Sequence, residues 1–494
     1  MNMQSETEKP LSYRLKKGVT IFERESSPAL QLNYPLKVVV LKPYWKEVLD
    51  LLAAGDYVLF EKINTVSGAR RPVAVRRFLD RLVQGGFLKR EGFTTLSVFP
   101  LVSVIIPVHN RPDEIRECLA SLDTVNYPRD KMEVIVVDDA STDHTREVVA
   151  EFPVRLISLN RNRQAPYCRN LAARRAKGEL LAFIDSDCLA TPEWLHELVP
   201  AFLDDTIGAV GGRVDGCSTE KLVDRYESTN SSLNMGDRFK RSQSQDRFFY
   251  VPSCNLLVRR NLFTKLNGFN ERLIVGEDVD LCWRLQDSGH DLEYRPAGTV
   301  FHKHRNRLKS FCQRRFDYGT SEPLLQKKHQ SRNKQFFFPV PASAFVLLTG
   351  LALGLMNLPL MLFNLTIPAI DVVIRKQNLR HQGVQLGLPR LLVSVCREYL
   401  SFFHSLCSFI SRYYLVTVVM FWVVSPTIVV FLLGLHLVAV TVDYCIKKPP
   451  LNLPVFLFCH TLDQLSYQSG VWWGCLKLHC YNPLIPRIVW QKPT

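Results

Sequence analysis

From residue 101 to residue 184 the apolar positions switch repeatedly between two spacings. "VSVIIPV" (102–108), "MEVIVV" (132–137), "VRLISL" (154–159) and "ELLAFI" (179–184) are short, near-continuous apolar runs, as strands buried on both faces require. Between them, "RPDEIRECLASL", "TDHTREVVAEF" and "APYCRNLAARRAKG" carry apolar residues at helical spacing, the last closing on Gly178. The alternation predicts βαβ units with right-handed crossovers, and ligands bind beyond the carboxyl ends of such strands. The expected fold class is therefore α/β over residues 100–320, built on a mostly parallel, doubly wound sheet.

The flanks pattern differently. Over residues 12–96, "VTIFERESSPALQLNYPLKVVVL" alternates like paired short strands broken at Ser-Ser-Pro and Asn-Tyr-Pro. "PYWKEVLDLLAAG" follows as a short helix. "RRPVAVRRFLDRLVQGG" follows as a second, with Val75, Phe78, Leu79 and Leu82 on one face. "GFLKREGFTTLSVF" then predicts a wing-like strand pair, so the segment is expected to form a winged-helix-like α+β domain, either a peptide-recognition module or a brace. Beyond residue 335 the chain turns apolar: 335–370 and 413–442 contain no Asp, Glu, Lys or Arg. Both exceed the roughly 20 residues that a bilayer crossing needs, which predicts a membrane-associated helical region over 335–494. The first run holds several prolines and predicts a broken helix or hairpin, while the second carries only Pro426, near its middle.

Charge sharpens the membrane expectation. The net charge is +15, and Lys303, His304, Arg305, Arg307, Lys309, Arg314 and Arg315 crowd the approach to the first apolar run. Basic flanks favour the cytoplasmic side and contact with anionic membrane lipid. No nucleic-acid-binding module accompanies the charge, so no nucleic acid partner is expected. "MNMQSETEKP" has no apolar core of a signal peptide, and the thirteen cysteines form no C-x-x-C pair, as in a reduced, cytosol-facing protein.

The candidate chemistry lies at the strand ends. The first, second and fourth strands run into "PVHNR", "DDAS" and "DSDC", which a parallel sheet places on one rim. Composition alone yields about one D-x-D in a chain of this size, so the motif gains weight only from its neighbours. Ser141 and Thr142 could cap the next helix, but capping does not account for Asp185 and Asp187.

"VSVIIPVHNR", "VIVVDDASTD", "CRNLAARRAKGELLAFIDSDC" and "GEDVDLCWRL" together resemble inverting glycosyltransferases of family 2, which have the GT-A fold. The resemblance implies a UDP-sugar donor whose uracil and ribose are read at Pro107, His109, Arg111 and Asp139, with Arg169 as a further donor contact. It implies a D-x-D that holds Mn²⁺ or Mg²⁺ against the donor diphosphate. Asp187 is then the direct ligand, and Asp185 faces the ribose or a metal-bound water. His302 of "VFHKH" matches a metal-binding histidine of the family, and an imidazole tilts an oxygen site from Mg²⁺ toward Mn²⁺. Asp278 matches the catalytic base that takes the proton of the acceptor hydroxyl, although it could also cap the helix that follows. Glu277, Trp283 and Arg284 are expected beside it, supporting the loop or the acceptor.

The first zone, through "FLDRLVQGGFL", resembles the small peptide-chaperone domain of pyrroloquinoline quinone biosynthesis. Together with "FHKHRNRLKSFCQRRFDYGTSEPLL", the whole layout looks like the glycosyltransferase of the mycofactocin system. That resemblance implies UDP-glucose as donor, a peptide-derived redox cofactor or precursor peptide as acceptor, and β-1,4-linked glucose units as product. The apolar runs and their basic flanks place the chain at the cell membrane with its catalytic domain expected on the cytoplasmic side. "CQRRFDYG" departs from the Q-x-x-R-W of processive synthases, which argues against long-chain extrusion. The alternatives are a membrane glycosyltransferase of a lipid-linked or cell-envelope glycan, and a non-catalytic peptide-binding adaptor.

Overall fold

The computed structural model describes residues 10–33, 36–69, 71–94, 96–242, 248–304, 307–332, 334–381, 384, 386–422 and 425–491. Arg305 and the first nine residues lie outside them. The chain divides into two compact units: Met1–Lys16 with Glu47–Leu308, and Lys17–Lys46 with Lys309–Thr494.

In the first unit the strands are β1 (Val102–Val108), β2 (Met132–Asp138), β3 (Arg155–Ser158), β4 (Leu180–Ile184), β5 (Cys188–Ala190) and β6 (Ile207–Gly211). They continue as β7 (Val214–Gly216), β8 (Lys240–Arg241), β9 (Asn255–Arg259), β10 (Asp291–Tyr294) and β11 (Val300–His302). The helices that matter are α1 (Pro112–Leu122), α2 (Thr145–Ala150), α3 (Gln164–Arg175) and α4 (Glu277–Asp287). Among the described residues the main sheet has the order β8-β10-β6-β9-β4-β1-β2-β3. β4, β1, β2 and β3 are parallel, as expected, whereas β9 pairs antiparallel with both β4 and β6. Alternate residues of β1 serve opposite layers. Val104 and Ile106 pack with Ile115 and Leu119 of α1, and Ile105 packs with Cys168 and Ala172 of α3. Burial on both faces explains the unbroken apolar run.

The small sheet of the first zone differs from the expected wing. Leu88–Glu91 pairs with Ser12–Leu15, which in turn pairs with Val58–Leu59. Gly86, at φ +86°, ends the helix Pro72–Gly85 in a left-handed turn, and this aims the next strand back at Ser12–Leu15. The same helix is tied to the α/β sheet. Arg77 Nε donates to Asp204 at 2.9 Å, and Gln84 Nε2 donates to the Arg241 carbonyl at 2.8 Å. The predicted strands of 19–40 form an antiparallel meander, Val19–Arg24, Ser27–Asn33 and Leu36–Val40, which belongs to the second unit.

There Phe22, Leu36 and Val38 pack with Ala342, Val372 and Tyr399. The first apolar run is broken as predicted, into Val340–Gly354, Leu358–Asn364 and Thr366–His381, with Asn357 Oδ1 accepting from Leu360 N at 2.9 Å. The second run is not one helix. Pro426 opens the helix Pro426–Lys447, capped by Ser425, because proline suits a helix's first turn and not its interior. Leu358–His381 and Pro426–Lys447 are long and apolar enough to cross a membrane by length and composition. Gly470 and Gly474 of the helix Leu453–Leu478 lie against Leu308–Lys328. A Cβ on Gly470 would collide with the Phe316 carbonyl, and one on Gly319 with the Tyr467 carbonyl. The helices therefore cross at backbone contact, as small residues four apart permit.

Candidate active site

β1, β2 and β4 end on one rim, and each contributes a polar loop. After β4 the chain turns sharply: Cys188 N donates to the Asp185 carbonyl at 3.0 Å, so the D-x-D is a tight turn around buried Ser186. β5 then joins a small sheet with β11, in which Cys188 faces His302 across an antiparallel ladder. Lys303 N donates to the Asp187 carbonyl at 2.9 Å. This second sheet brings His302 Nε2 within 3.6 Å of Asp187 Oδ1.

Two arginines balance the carboxylates. Arg111 is paired with Asp187. Burial raises the Asp187 carboxyl, but His302 and Arg111 outweigh it and hold the group below the usual range. Arg169, only 3 % exposed, donates from Nη2 to Asp185 at 2.5 Å and from Nη1 to Glu277 at 2.9 Å. It thus lies under the rim, linking the D-x-D to the first turn of α4. Burial, and then the charge of Asp278, push Glu277 up to about 7 against the pull of Arg169.

Asp278 occupies the first turn of α4, which Gly276 caps, and its Oδ1 accepts from Val279 N at 2.8 Å. Its Oδ2 accepts from Ser253 N at 3.3 Å, so the loop before β9 orients the carboxylate. Asp278 is partly exposed, as a base that meets a substrate must be. Asp139 is held by the chain's own backbone. Its two oxygens accept from Arg163 N at 2.6 Å and Gln164 N at 2.8 Å, fixing the start of α3. The helix after Asp139 starts behind His144 with no side-chain cap from Ser141 or Thr142, and Asp143 Oδ1 accepts from its first amide, Thr145 N, at 3.0 Å. His109 is exposed, with Nδ1 at 2.8 Å from the Asp139 carbonyl, and Pro107 is buried within β1. Arg284 binds Asp280 at 2.8 Å and the carbonyls of Leu266 and Gly268 at 2.5 and 2.7 Å, which makes it a support of that loop. Trp283 packs edge-on against Phe248, 6.1 Å between centroids.

A divalent cation fits the residues present. Asp187 Oδ1 is a buried atom with no hydrogen-bond partner and lies 3.6 Å from His302 Nε2, and both side chains are of types that ligate metals. Asp187, His302 and Cys188 bring ligand atoms within 4.8 Å of one another. Sequence reasoning missed two parts of this arrangement. One is Cys188, visible only as the last letter of "DSDC". The other is the Ser253 amide, which a backbone contact makes invisible in the sequence.

The sequence profile described as glycosyl transferase family 2 matches residues 103–266. A pre-mycofactocin glycosyltransferase of Mycobacterium tuberculosis is 28% identical over 399 residues, covering 78% of this chain and 82% of the relative. Glycosyltransferase AglE of Haloferax volcanii is 31% identical over 225 residues, covering 42% of this chain and 71% of the relative. Among solved structures, the mannosyltransferase PcManGT from Pyrobaculum calidifontis, in complex with GDP-Man and Mn²⁺, aligns with a TM-score of 0.43. It is 17% identical and covers 80% of this chain and 94% of its own.

Proposed function

This chain belongs to glycosyl transferase family 2, and on that premise we propose that it transfers glucose from UDP-glucose, with inversion, to a mycofactocin-type acceptor. The observation that carries the chemistry is the convergence of Asp185, Asp187, His302 and Asp278 beyond the ends of β4, β11 and β9. The acceptor is supported by similarity to a pre-mycofactocin glycosyltransferase over 78% of the chain.

In this reading Asp278 takes the proton of the acceptor hydroxyl as it attacks the anomeric carbon on the face opposite the diphosphate. An α-linked donor therefore yields a β-linked glucose, and the 1,4 linkage of repeated units rests on the resemblance to the mycofactocin system. When bound, a divalent cation supplies Lewis-acid stabilisation of the leaving diphosphate, and Asp187 and His302 are the residues that would hold it. Arg169 acts as a positioning residue, keeping Asp185 and Glu277 in register from below the rim. Arg111 and His109 stand at the exposed edge where a nucleotide would lie, and Asp139 holds the helix start beneath them. Residues 12–96 recognise a peptide or brace the enzyme, and the ties of Arg77 and Gln84 favour the brace for the helix Pro72–Gly85.

The apolar helices Leu358–His381 and Pro426–Lys447 support a membrane location, and the basic residues before the first apolar run favour a cytoplasmic catalytic unit. They also favour a second reading, in which the acceptor is a lipid-linked or envelope glycan. A radiolabelled UDP-glucose assay separates the two. Transfer to a mycofactocin-type acceptor with Mn²⁺ is expected, and active protein that glucosylates only lipid extract would refute the first acceptor.

A further inference from the structure

Cys188 has no role in the reading above, yet the fold places it where it could take one. β5 and β11 pair antiparallel, with Cys188 directly opposite His302. Residues so opposed share a face of the sheet, with Cβ atoms about 4.5–5.5 Å apart. Asp187 immediately precedes Cys188 and is tied to the same ladder through its carbonyl and Lys303 N. The outcome is a carboxylate oxygen, an imidazole nitrogen and a sulfur that all lie within 4.8 Å of one another.

A single ion with bonds of about 2.1–2.3 Å in tetrahedral array holds its ligand atoms about 3.4–3.8 Å apart. The 3.6 Å between His302 Nε2 and Asp187 Oδ1 already meets that spacing. The sulfur needs to close by about 1 Å, within reach of a small side-chain adjustment. Asp187 and His302 are partly exposed and open a route from the rim, whereas Cys188 is fully buried and forms the floor. Behind it lies the Cys254 sulfur, to which the Cys188 S–H donates.

We propose that Cys188 Sγ is a third protein ligand, so that the rim site takes a thiophilic divalent cation through one carboxylate, one imidazole and one thiolate. The inference rests on the reading of Asp187 and His302 as metal ligands. On binding, the sulfur–hydrogen bond is exchanged for a sulfur–metal bond and one proton passes to solvent. The mixed oxygen, nitrogen and sulfur set disfavours Mg²⁺, which prefers oxygen, and favours Zn²⁺ and Co²⁺.

Cobalt reports sulfur ligation directly. Co²⁺ added to the metal-free full chain in the presence of UDP is expected to produce a near-ultraviolet thiolate-to-cobalt absorption band that saturates at one ion per chain. Cys188→Ser is expected to lose the band and to bind Co²⁺ about tenfold or more weakly, while Cys254→Ala keeps the band. Co²⁺ bound without the band, a band unchanged in Cys188→Ser, or no Co²⁺ binding at all would each overturn the proposal. Because the unmodified chain is itself decisive, misfolding of a variant does not rescue it. Sugar transfer by the unmodified chain with Mn²⁺, measured alongside, separates the two ideas. Transfer together with a band-free cobalt complex removes the thiolate ligand and leaves the glycosyltransferase reading standing.

Discussion

Replacing Arg169 with Met removes the one cation that links Asp185 to Glu277 while keeping an unbranched stem over the Phe269 ring. Asp185 retains partial solvent contact, so most of the penalty falls on Glu277, which is 9 % exposed. Breaking a buried pair on one side destabilises by about 3–5 kcal/mol when the stranded group stays charged. It need not stay charged. Burial and Asp278 already push Glu277 up to about 7, and loss of Arg169 removes the group that holds it down. A carboxyl raised on folding keeps its proton in the folded state while the unfolded state has released it. Stability therefore falls as pH rises from the ordinary carboxyl value to the folded one.

The unaltered protein levels off above about pH 7, whereas the variant goes on losing about 1.4 kcal/mol for each further unit by which its pKa is raised. Near pH 6 only the lost hydrogen bonds count, about 1–2 kcal/mol. Near pH 8.5 the full effect of about 3–5 kcal/mol is expected. Hydrogen exchange of the α3 and α4 amides, corrected for intrinsic rates, reads this locally, at about tenfold in protection per 1.4 kcal/mol. Equal loss of protection at both pH values would refute the reasoning, since Glu277 would then not be the group left stranded.

Asp278→Asn is expected to lower transfer by about 10²–10⁴-fold, with UDP affinity by calorimetry unchanged, because only the proton acceptor is lost. His302→Ala should weaken Mn²⁺ binding about tenfold or more, measured by electron paramagnetic resonance of free Mn²⁺. Arg241→Met should destabilise the first unit by about 1–3 kcal/mol, since buried Asp204 loses one charged partner but keeps Arg77 and Thr206. Arg77→Ala should cost less, about 1 kcal/mol, because its side chain is more than a third exposed and Arg241 stays on Asp204; exchange at β6 and β10 separates the two. Gly470→Ala should loosen the crossing of Leu308–Lys328 with Leu453–Leu478 by about 1–3 kcal/mol or more, seen as faster exchange in both helices in detergent.

Local pattern alone determined the elements around the site. Continuous apolar runs named β1, β2 and β4, helical spacing named α1 and α3, and charge-free stretches named the apolar helices, because burial acts on each residue through its own periodicity. The sequence also carried every carboxylate of the rim, as a parallel sheet collects its strand ends on one side. Pairing across the chain was another matter. Whether Leu88–Glu91 would pair with a wing or with Ser12–Leu15 depended on a left-handed turn at Gly86 and on which edge lay open.

Likewise, Arg169 and Asp139 look in sequence like surface polar residues facing a ligand. Only packing shows the first buried between Asp185 and Glu277 and the second bound to the amides that open α3. Cys188 and His302 have no relation in the sequence and become neighbours through the ladder between β5 and β11. Residue type settles what a side chain can do, but which groups remain unpaired, and so available for chemistry, follows from contacts between segments far apart in the chain. Those contacts are fixed by sheet register and by the burial of charges that must find partners.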